Sequence, residues 1–552
     1  MRRKVWKIKE PDPRIQTLAQ KYKVSPFLVQ VFLNRNLKEE EFNPFLNPDL
    51  KFLHPAGLLP DIQKAKVRVN QAISQKEKVL VFGDYDVDGI TSLAIFNEFA
   101  KDFPNIFSFY IPHRVKEGYG LNKQVILKAK KEKIKLIVAF DCGTNAGQEI
   151  ELARGLGIDV IVIDHHLPGQ NKSRPFAFIN PKACDSSYPF SDLSSGALSF
   201  KFLQVLKADP CQEALDLVAL SLVCDVSPLK GENRILLKEG LKVIRKSQRP
   251  AIKALCRASR IKQENIDTFH LGFILGPRIN ASGRVAHPQE SLEIFLTQGQ
   301  KVADDLSLKL GEYNNLRKGI GAKILKEAEE IVQGNADSSK AIVVSGKAWH
   351  QGVLGIVASR LADKYYRPSF VISFDSGVGK GSGRSIHSIH LMETLEACAD
   401  SLIVYGGHKK AAGLHIEEDN LETFKTKINS FIESNSNPED FLPVLDVDAV
   451  LRFSDIDLRL AEELAKLKPY GEANPEAIFV SHNVFKKSPI KKIGSRYSVW
   501  LSDDLRTHEA IVVNKDILEI MDYSERFDIA FCLEVNSYYD IPKIKIKDCR
   551  IP

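Results

Sequence analysis

The chain has 552 residues, 44% of them hydrophobic and 27% charged, with a net charge of +7; that length exceeds a single core and predicts three or four domains, and the charge leaves room only for local contact with a polyanion. No apolar run reaches the roughly 18 residues needed to span a bilayer, and the basic N-terminal run MRRKVWKIKEPDPR lacks the apolar core of a secretory signal. Eight scattered cysteines, without CxxC or zinc spacing, read as reduced thiols and predict a cytoplasmic protein.

Residues 1–55 read as a small helical lead-in broken near Pro44 and Pro48. From 56 to 286, short β-branched runs (KVLVFGD, KLIVAFD, DVIVIDHH) alternate with amphipathic stretches such as NKQVILKAKKEKI. This is the pattern of an α/β domain with a parallel sheet, which places functional groups at the carboxyl ends of its strands. Residues 287–335 keep an apolar face through SLEIFL, VADDLSLKL and AKILKEAEEIV and predict a connecting helix, with Gly319 and Gly321 as its weak points. A second α/β domain follows over 336–435, beginning with AIVVS and VLGIVASRLADKY, and SNSNPED reads as a linker. Residues 441–552 change to strand-like runs (AIFVSHNVF, YSVWL, EAIVV, FDIAFCLEV, KIKIKDC) and predict a C-terminal β-barrel of the OB type.

Four segments carry clustered acids and histidines. GDYDVDG places Asp84, Asp86 and Asp88 at alternate positions after a buried strand; AFDCGT offers Asp141; VIDHHLPG offers Asp164, His165 and His166; LSLVCDVSPL offers Asp225. Like charges this close repel, and a divalent cation relieves the repulsion; oxygen and imidazole donors suit Mg²⁺ or Mn²⁺. An isolated aspartate at a strand end ordinarily caps a helix or a turn. Three alternating aspartates together with Asp-His-His after another strand point instead to a two-metal site acting on a phosphoryl group.

In their order, GDYDVDGITS, DCGT, DHHLPG and CDVSPL resemble the four motifs of the DHH phosphoesterase superfamily. IPHRVKEGYGL, LGPRINASGRV, HQGVLGIVASRL, KGSGRSI, GGHKKAAGL and PYGEANPEAIF narrow the resemblance to its RecJ branch of bacterial single-stranded-DNA exonucleases, over about residues 60–485. The resemblance implies a DHH domain and a DHH-associated domain joined by a long helix, with an OB domain beyond. It also implies hydrolysis of single-stranded DNA from the 5′ end to 5′-mononucleotides, in repair and recombination, with two Mn²⁺ or Mg²⁺ ions. Carried over by motif, Asp86, Asp88, Asp141, His165 and Asp225 are metal ligands. Asp84 is a ligand or an orienting base, Asp164 orients a histidine, and His166 stabilises the transition state or handles a proton. Some relatives have a histidine four residues before the second aspartate of the first motif; Phe82 stands there in this chain, which implies that one metal binds more weakly or keeps an extra water.

For the nucleic acid, the resemblance and the fork geometry of guanidinium assign Arg284 and Asn280 to the scissile region, with Arg278 beside them in a glycine- and proline-fixed loop. Arg114, Ser382 and Arg384 are assigned to the 5′ phosphate, the glycines of KGSGRS being read as an anion nest; His408 is a further polar contact or a structural turn residue. The basic and aromatic run KKSPIKKIGSRYSVW (486–500) suits backbone tracking and base stacking, with Tyr497 and Trp500 as the aromatics. Expected partners are single-stranded DNA, a helicase and a single-strand-binding protein; the chain is expected to act as a monomer, away from membranes. Two other functions share the metal motifs. One is a DHH phosphodiesterase acting on short oligonucleotides or cyclic dinucleotides, which leaves the C-terminal domain unexplained. The other is a non-catalytic DNA-binding scaffold, which leaves the intact acidic set unexplained.

Overall fold

The computed structural model describes residues 4–169, 174–332, 339–536 and 541–551. Two compact units result: Leu50–Ser227 with Glu232–Phe441, and Met1–Asp49 with Pro228–Gly231 and Leu442–Pro552. Among the described residues no helix is long and apolar enough to cross a membrane.

The larger unit begins with a five-stranded, wholly parallel sheet. Its order is Phe107–Tyr110, Lys78–Gly83, Ile134–Phe140, Asp159–Ile163 and Ala177–Ile179. The near-continuous apolar runs KVLVF, LIVAF and VIVI fit strands covered on both faces, and the central residues of all three are buried. The next residues after three of these strands are Asp84, Asp141 and Asp164, so one edge of the sheet collects the acids. Phe82, where some relatives have histidine, is fully buried and stacks on Tyr110 at 5.8 Å.

The connecting stretch divides elsewhere than the sequence suggests. A helix over Gln289–Leu296 ends at Thr297, whose backbone is extended, and a second helix runs unbroken over Gln300–Val332. Gly319 and Gly321 lie inside it: the penalty of about 1 kcal/mol for each glycine is outweighed by tertiary packing. Ile320, Ile324 and Ala328 on this helix join the core of the second lobe. The expected boundary at 335/336 lies outside the described residues, as do positions 1–3 of the basic N-terminal run.

That second lobe holds a mixed sheet in the order Val404–Gly407, Ala411–Glu417, Val378–Arg384, Ser369–Asp375, Ile342–Lys347, parallel only between the last two. Two readings of the sequence are corrected here. KGSGR is the central strand, not a nest: its backbone pairs with strands on both sides. Its glycines exist because a Cβ at 379, 381 or 383 would come within 2.6–2.9 Å of Phe374, Ile372 or Phe370. GPRINASGR is likewise no loop but the helix Gly276–Val285, entered from a π-helical turn over His270–Leu275. Pro277 sits in the first turn, directly after the π-helical turn. At Gly283 a side chain would press on the Tyr85 carbonyl, 3.2 Å from the Cβ position.

In the smaller unit five strands close a circuit: Phe479–Lys486, Phe527–Asn536, Ile541–Arg550, Thr507–Val512 and Arg496–Ser502, the last pairing back to the first. The N-terminal stretch is not merely a helical lead-in. Val5–Ile8 forms a strand parallel to Val444–Val447, and the helix Pro26–Asn34 buries Leu28 and Phe32 in one core with Phe479 and Phe531. Trp6 is nearly buried, donates from Nε1 to Asp548 at 2.8 Å and carries Arg550 over its ring at 4.2 Å.

Candidate metal centre and phosphate cleft

Asp86 is the N-cap of the helix Val87–Ala100; its Oδ1 accepts from the backbone N–H groups of Asp88 (2.9 Å) and Gly89 (3.2 Å). Asp88, in the first turn, is buried against the start of the helix Ser195–Lys207. Its carboxylate accepts from the Ser195 N–H (2.8 Å), the Gly196 N–H (2.9 Å) and the Ser221 hydroxyl (2.5 Å). Asp141 ends its strand with φ 61°, a left-handed backbone that asparagine and aspartate tolerate best. Asp225 is the residue after the last turn of the apolar helix Leu215–Cys224, and its Oδ2 accepts from Ser227 at 2.6 Å.

These groups converge on His165. Its Nε2 lies 3.3 Å from Asp141, 3.6 Å from Asp88 and 3.9 Å from Asp225. Donor atoms of Asp88, His165 and Asp225 lie within 4.8 Å of one another, as do those of Asp84, Asp86 and Asp141. Burial pushes Asp84, Asp141 and Asp225 well above the usual carboxylate range, and the neighbouring aspartates push them further; Asp88 is raised for the same reasons. Burial lowers His165, against the pull of Asp88. Two buried atoms in this cluster, His165 Nε2 and Asp84 Oδ1, have no hydrogen-bond partner among the described residues. A buried acceptor without a donor costs free energy, and a cation among crowded oxygens and an imidazole removes both penalties. The residues therefore fit a hard divalent metal.

Asp164 also stands in a group with Asp141, His165 and His166 whose donor atoms lie within 4.8 Å of one another. Burial works against its charge, yet its Oδ1 meets His166 Nδ1 at 2.7 Å and its Oδ2 accepts from the Thr144 N–H at 3.0 Å, so its pKa falls below the usual range. The same pairing outweighs burial at His166 and raises it to about 9. Tyr119 braces this pair, donating to the Asp141 carbonyl at 2.8 Å with its hydroxyl 3.2 Å from His166 Nδ1. Tyr119, His166, Asp164 and His408 line one cavity of about 370 Å³, which brings the turn between the strands Val404–Gly407 and Ala411–Glu417 to the DHH motif.

The arginines gather beside the acids, and among the described residues Arg114, Arg284 and Arg384 have no carboxylate in a salt bridge. Arg284 Nη1 donates to the Gly352 carbonyl at 3.2 Å; burial lowers its pKa to about 9, with repulsion from Arg114, Arg317 and Arg384 adding to the effect. Arg114 lies over the Tyr85 ring at 4.7 Å. Arg384 and Ser382 share a hydrogen bond of 3.1 Å and project beside Gly355 in the first turn of the helix Leu354–Tyr365. Burial and Arg114 both lower Arg384. Asn280 and Arg284 are about 40° apart around their helix, whereas Arg278 is about 160° from Asn280. Arg278 accordingly leaves the group: it donates to the Ala258 carbonyl at 3.3 Å and lies against Gly311 of the long helix. The residues missed from sequence are Ser194, whose hydroxyl caps the Ala197 N–H (3.2 Å) and meets Ser221 (2.6 Å), with Ser195, Gly196, Ser221, Thr144, Tyr119 and Arg317. Of these, the Ser-Ser-Gly ahead of an apolar run carried a cap signal.

Comparison with known proteins agrees with this geometry. The chain matches the DHH family N-terminal domain over residues 78–222, the DHHA1 domain over 338–434 and the RecJ OB domain over 447–548. The single-stranded-DNA-specific exonuclease RecJ of Bacillus subtilis is 32% identical over 559 residues, covering 99% of this chain and 71% of the relative. The crystal structure of RecJ from Thermus thermophilus with Mn²⁺ superposes with a TM-score of 0.85 at 26% identity, covering 100% of this chain and 80% of that one. The structure of that protein with Mg²⁺ gives 0.78 at 24% identity over 100% and 79%. Mn²⁺ or Mg²⁺ is the cofactor that the clustered acids and histidines suit. By its three domains and its match along nearly its whole length, the chain belongs to the RecJ family of single-stranded-DNA-specific exonucleases.

Proposed function

We propose that this centre removes 5′-mononucleotides one at a time from the 5′ end of single-stranded DNA. The carrying observation is a buried donor set with two atoms that have no partner among the described residues, lying beside guanidiniums that no described carboxylate pairs with. Asp86, Asp88, Asp141, His165 and Asp225 hold the metals, and Asp84 completes the set or orients a water. When bound, Mn²⁺ or Mg²⁺ supplies Lewis-acid polarisation of the phosphodiester and lowers the pKa of an attacking water. Asp164, by engaging His166 at Nδ1, leaves Nε2 as the nitrogen free to donate a proton or hydrogen bond toward the leaving oxygen. Arg284 neutralises charge developing on the non-bridging oxygens, with Asn280 on the same helical face.

Polarity follows in this reading from Arg114, Ser382 and Arg384, which take a terminal 5′ phosphate at the start of the helix Leu354–Tyr365, where backbone N–H groups add to the attraction; His408 contacts the strand across the cavity. In the barrel, Trp500 is 44% exposed and suits base stacking, while Tyr497 packs into the core. The chain acts as a monomer on strands freed by a helicase or presented by a single-strand-binding protein. Incubation with Mn²⁺ and strands labelled at the 5′ or 3′ end is expected to release labelled mononucleotide first from the 5′ label and not from matched duplex. Asp141→Ala abolishes release while strand binding remains. First release from the 3′ label, or equal digestion of duplex, sinks the assignment.

A further inference from the structure

Four residues, Pro228–Gly231, interrupt the larger unit and belong to the smaller one, and the first of them stands three positions after Asp225. The turn between is strained. The helix Leu215–Cys224 closes with the Ser227 N–H on the Leu222 carbonyl (3.0 Å) and the Val226 N–H on the Val223 carbonyl (3.3 Å), a pattern that ordinarily has glycine at its left-handed position. Val226 stands there, at φ 60° and 61% exposed. A β-branched residue keeps such a φ only when its surroundings impose it, and an exposed side chain offers little packing for that purpose. The restraint lies further along the chain. Pro228 has a fixed φ and biases Ser227 to extended backbone. Leu229 is buried and donates from its N–H to the Glu472 carbonyl at 2.8 Å; it lies against Gly471, where a Cβ would come within 2.5 Å of Leu229 Cδ1. The receiving turn is itself fixed. Gly471 and Asn474 exchange backbone hydrogen bonds, and the buried Asn474 side chain donates to the carbonyls of Leu467 (2.8 Å) and Pro469 (2.7 Å). At the other end of the excursion the Glu232 carboxylate accepts from Lys201 (2.8 Å), Tyr188 (2.6 Å) and the His54 N–H (2.7 Å).

We propose that Leu229 is a positioning residue for the metal centre: seated against Gly471, it keeps the Val226 turn left-handed and so holds the Asp225 carboxylate toward His165. This rests on the reading of Asp225 as a metal ligand. Metal affinity then depends on a contact made wholly within the smaller unit. When the seat is lost, Val226 relaxes to a negative φ, the Ser227 N–H leaves Leu222, and Asp225 loses the Ser227 hydroxyl that fixes it. Neither Leu229 nor Gly471 is among the acids, histidines or arginines of the centre, so a change at either alters where the donors stand and not which donors are present.

Titration calorimetry of Mn²⁺ into the full chain tests this without turnover, at the site that Asp225→Ala weakens. Leu229→Ala is expected to weaken Mn²⁺ binding there about tenfold, the low end of what partners outside a metal's own ligands contribute. Gly471→Val fills the seat from the other side and is expected to act in the same direction; it keeps the test decisive where Leu229→Ala fails to fold. Val226→Gly removes the strain. In that background Leu229→Ala is expected to change Mn²⁺ affinity by less than about twofold, a non-additivity that a purely structural leucine does not produce. Folded Leu229→Ala and Gly471→Val chains that melt at a lower temperature yet bind Mn²⁺ as the parent does overturn the proposal. So does an equal loss of affinity with valine and with glycine at position 226. If Asp225→Ala itself leaves every Mn²⁺ affinity unchanged, the reading of Asp225 as a ligand is what fails.

Discussion

Asp88 shows how much of the proposed metal centre is built from atoms outside the donor set. Three donors from two distant parts of the chain, the Ser195 and Gly196 amides and the Ser221 hydroxyl, hold its carboxylate in place. Ser221→Ala removes the shortest of these bonds without enlarging the side chain. Outer partners of this kind typically contribute 10–100-fold to metal affinity, so the Mn²⁺ concentration for half-maximal activity is expected to rise by about that factor, with maximal rate largely recovered at saturation. A titration that superposes on the parent's shows the hydroxyl to be dispensable. The acids and histidines were legible because carboxyl ends of parallel strands collect function and three aspartates in alternation have few other uses. Ser221 was not: its role depends on Gly196 being small enough to let the helix Ser195–Lys207 approach, a relation between distant positions that no local pattern encodes. Arg278 and Arg284 also look alike in sequence; only the helical turn between them sends one toward Ala258 and the other toward the acids.

At the scale of elements, the two segments that differ most from expectation are both rich in glycine. Glycine marks turns so often that KGSGR and GPRINASGR read as loops, yet in each the missing side chain answers a neighbour's bulk: phenylalanine rings in the strand, the Tyr85 carbonyl in the helix. The long helix offers the contrasting case. A Cβ at Gly319 meets nothing within 4 Å, and the residue lies on the exposed side of an otherwise regular helix. Gly319→Ala should therefore raise stability by about 0.5–1 kcal/mol through helix propensity alone, read as a higher urea midpoint at unchanged slope. A lower midpoint would reveal that the position needs the freedom glycine gives. The helix itself was legible from its apolar face, whereas the break at Thr297–Gly299 was not: Thr297 Oγ1 accepts from the Gly299 N–H at 3.2 Å, but glycine stands inside the helix as well, at Gly319 and Gly321, and so did not mark the break.

At the scale of the molecule, chain order and folded units part company. The α/β lobes and the barrel were readable from the alternation of strand and helix patterns, but the place of the first 49 residues was not, because parallel pairing of Val5–Ile8 with Val444–Val447 leaves no local signature. Trp6 ties that strand down, and Trp6→Ala is expected to cost about 3–5 kcal/mol. Calorimetry separates the units, because Mn²⁺ raises only the transition of the one holding the centre; Trp6→Ala should lower the Mn²⁺-insensitive transition. A shift confined to the Mn²⁺-sensitive one contradicts the assignment of this strand. The same pairing has a bearing on synthesis. Residues 5–8 leave the ribosome well before the strand they pair with, and at 5–20 residues per second the wait is roughly 20–90 s. Throughout it, Leu28, Phe32 and Phe42 lack the barrel that later covers them. The nuclease lobes are complete in the meantime, so a newborn chain holds its catalytic centre before its first helices have a home, and those helices are the part most in need of a chaperone.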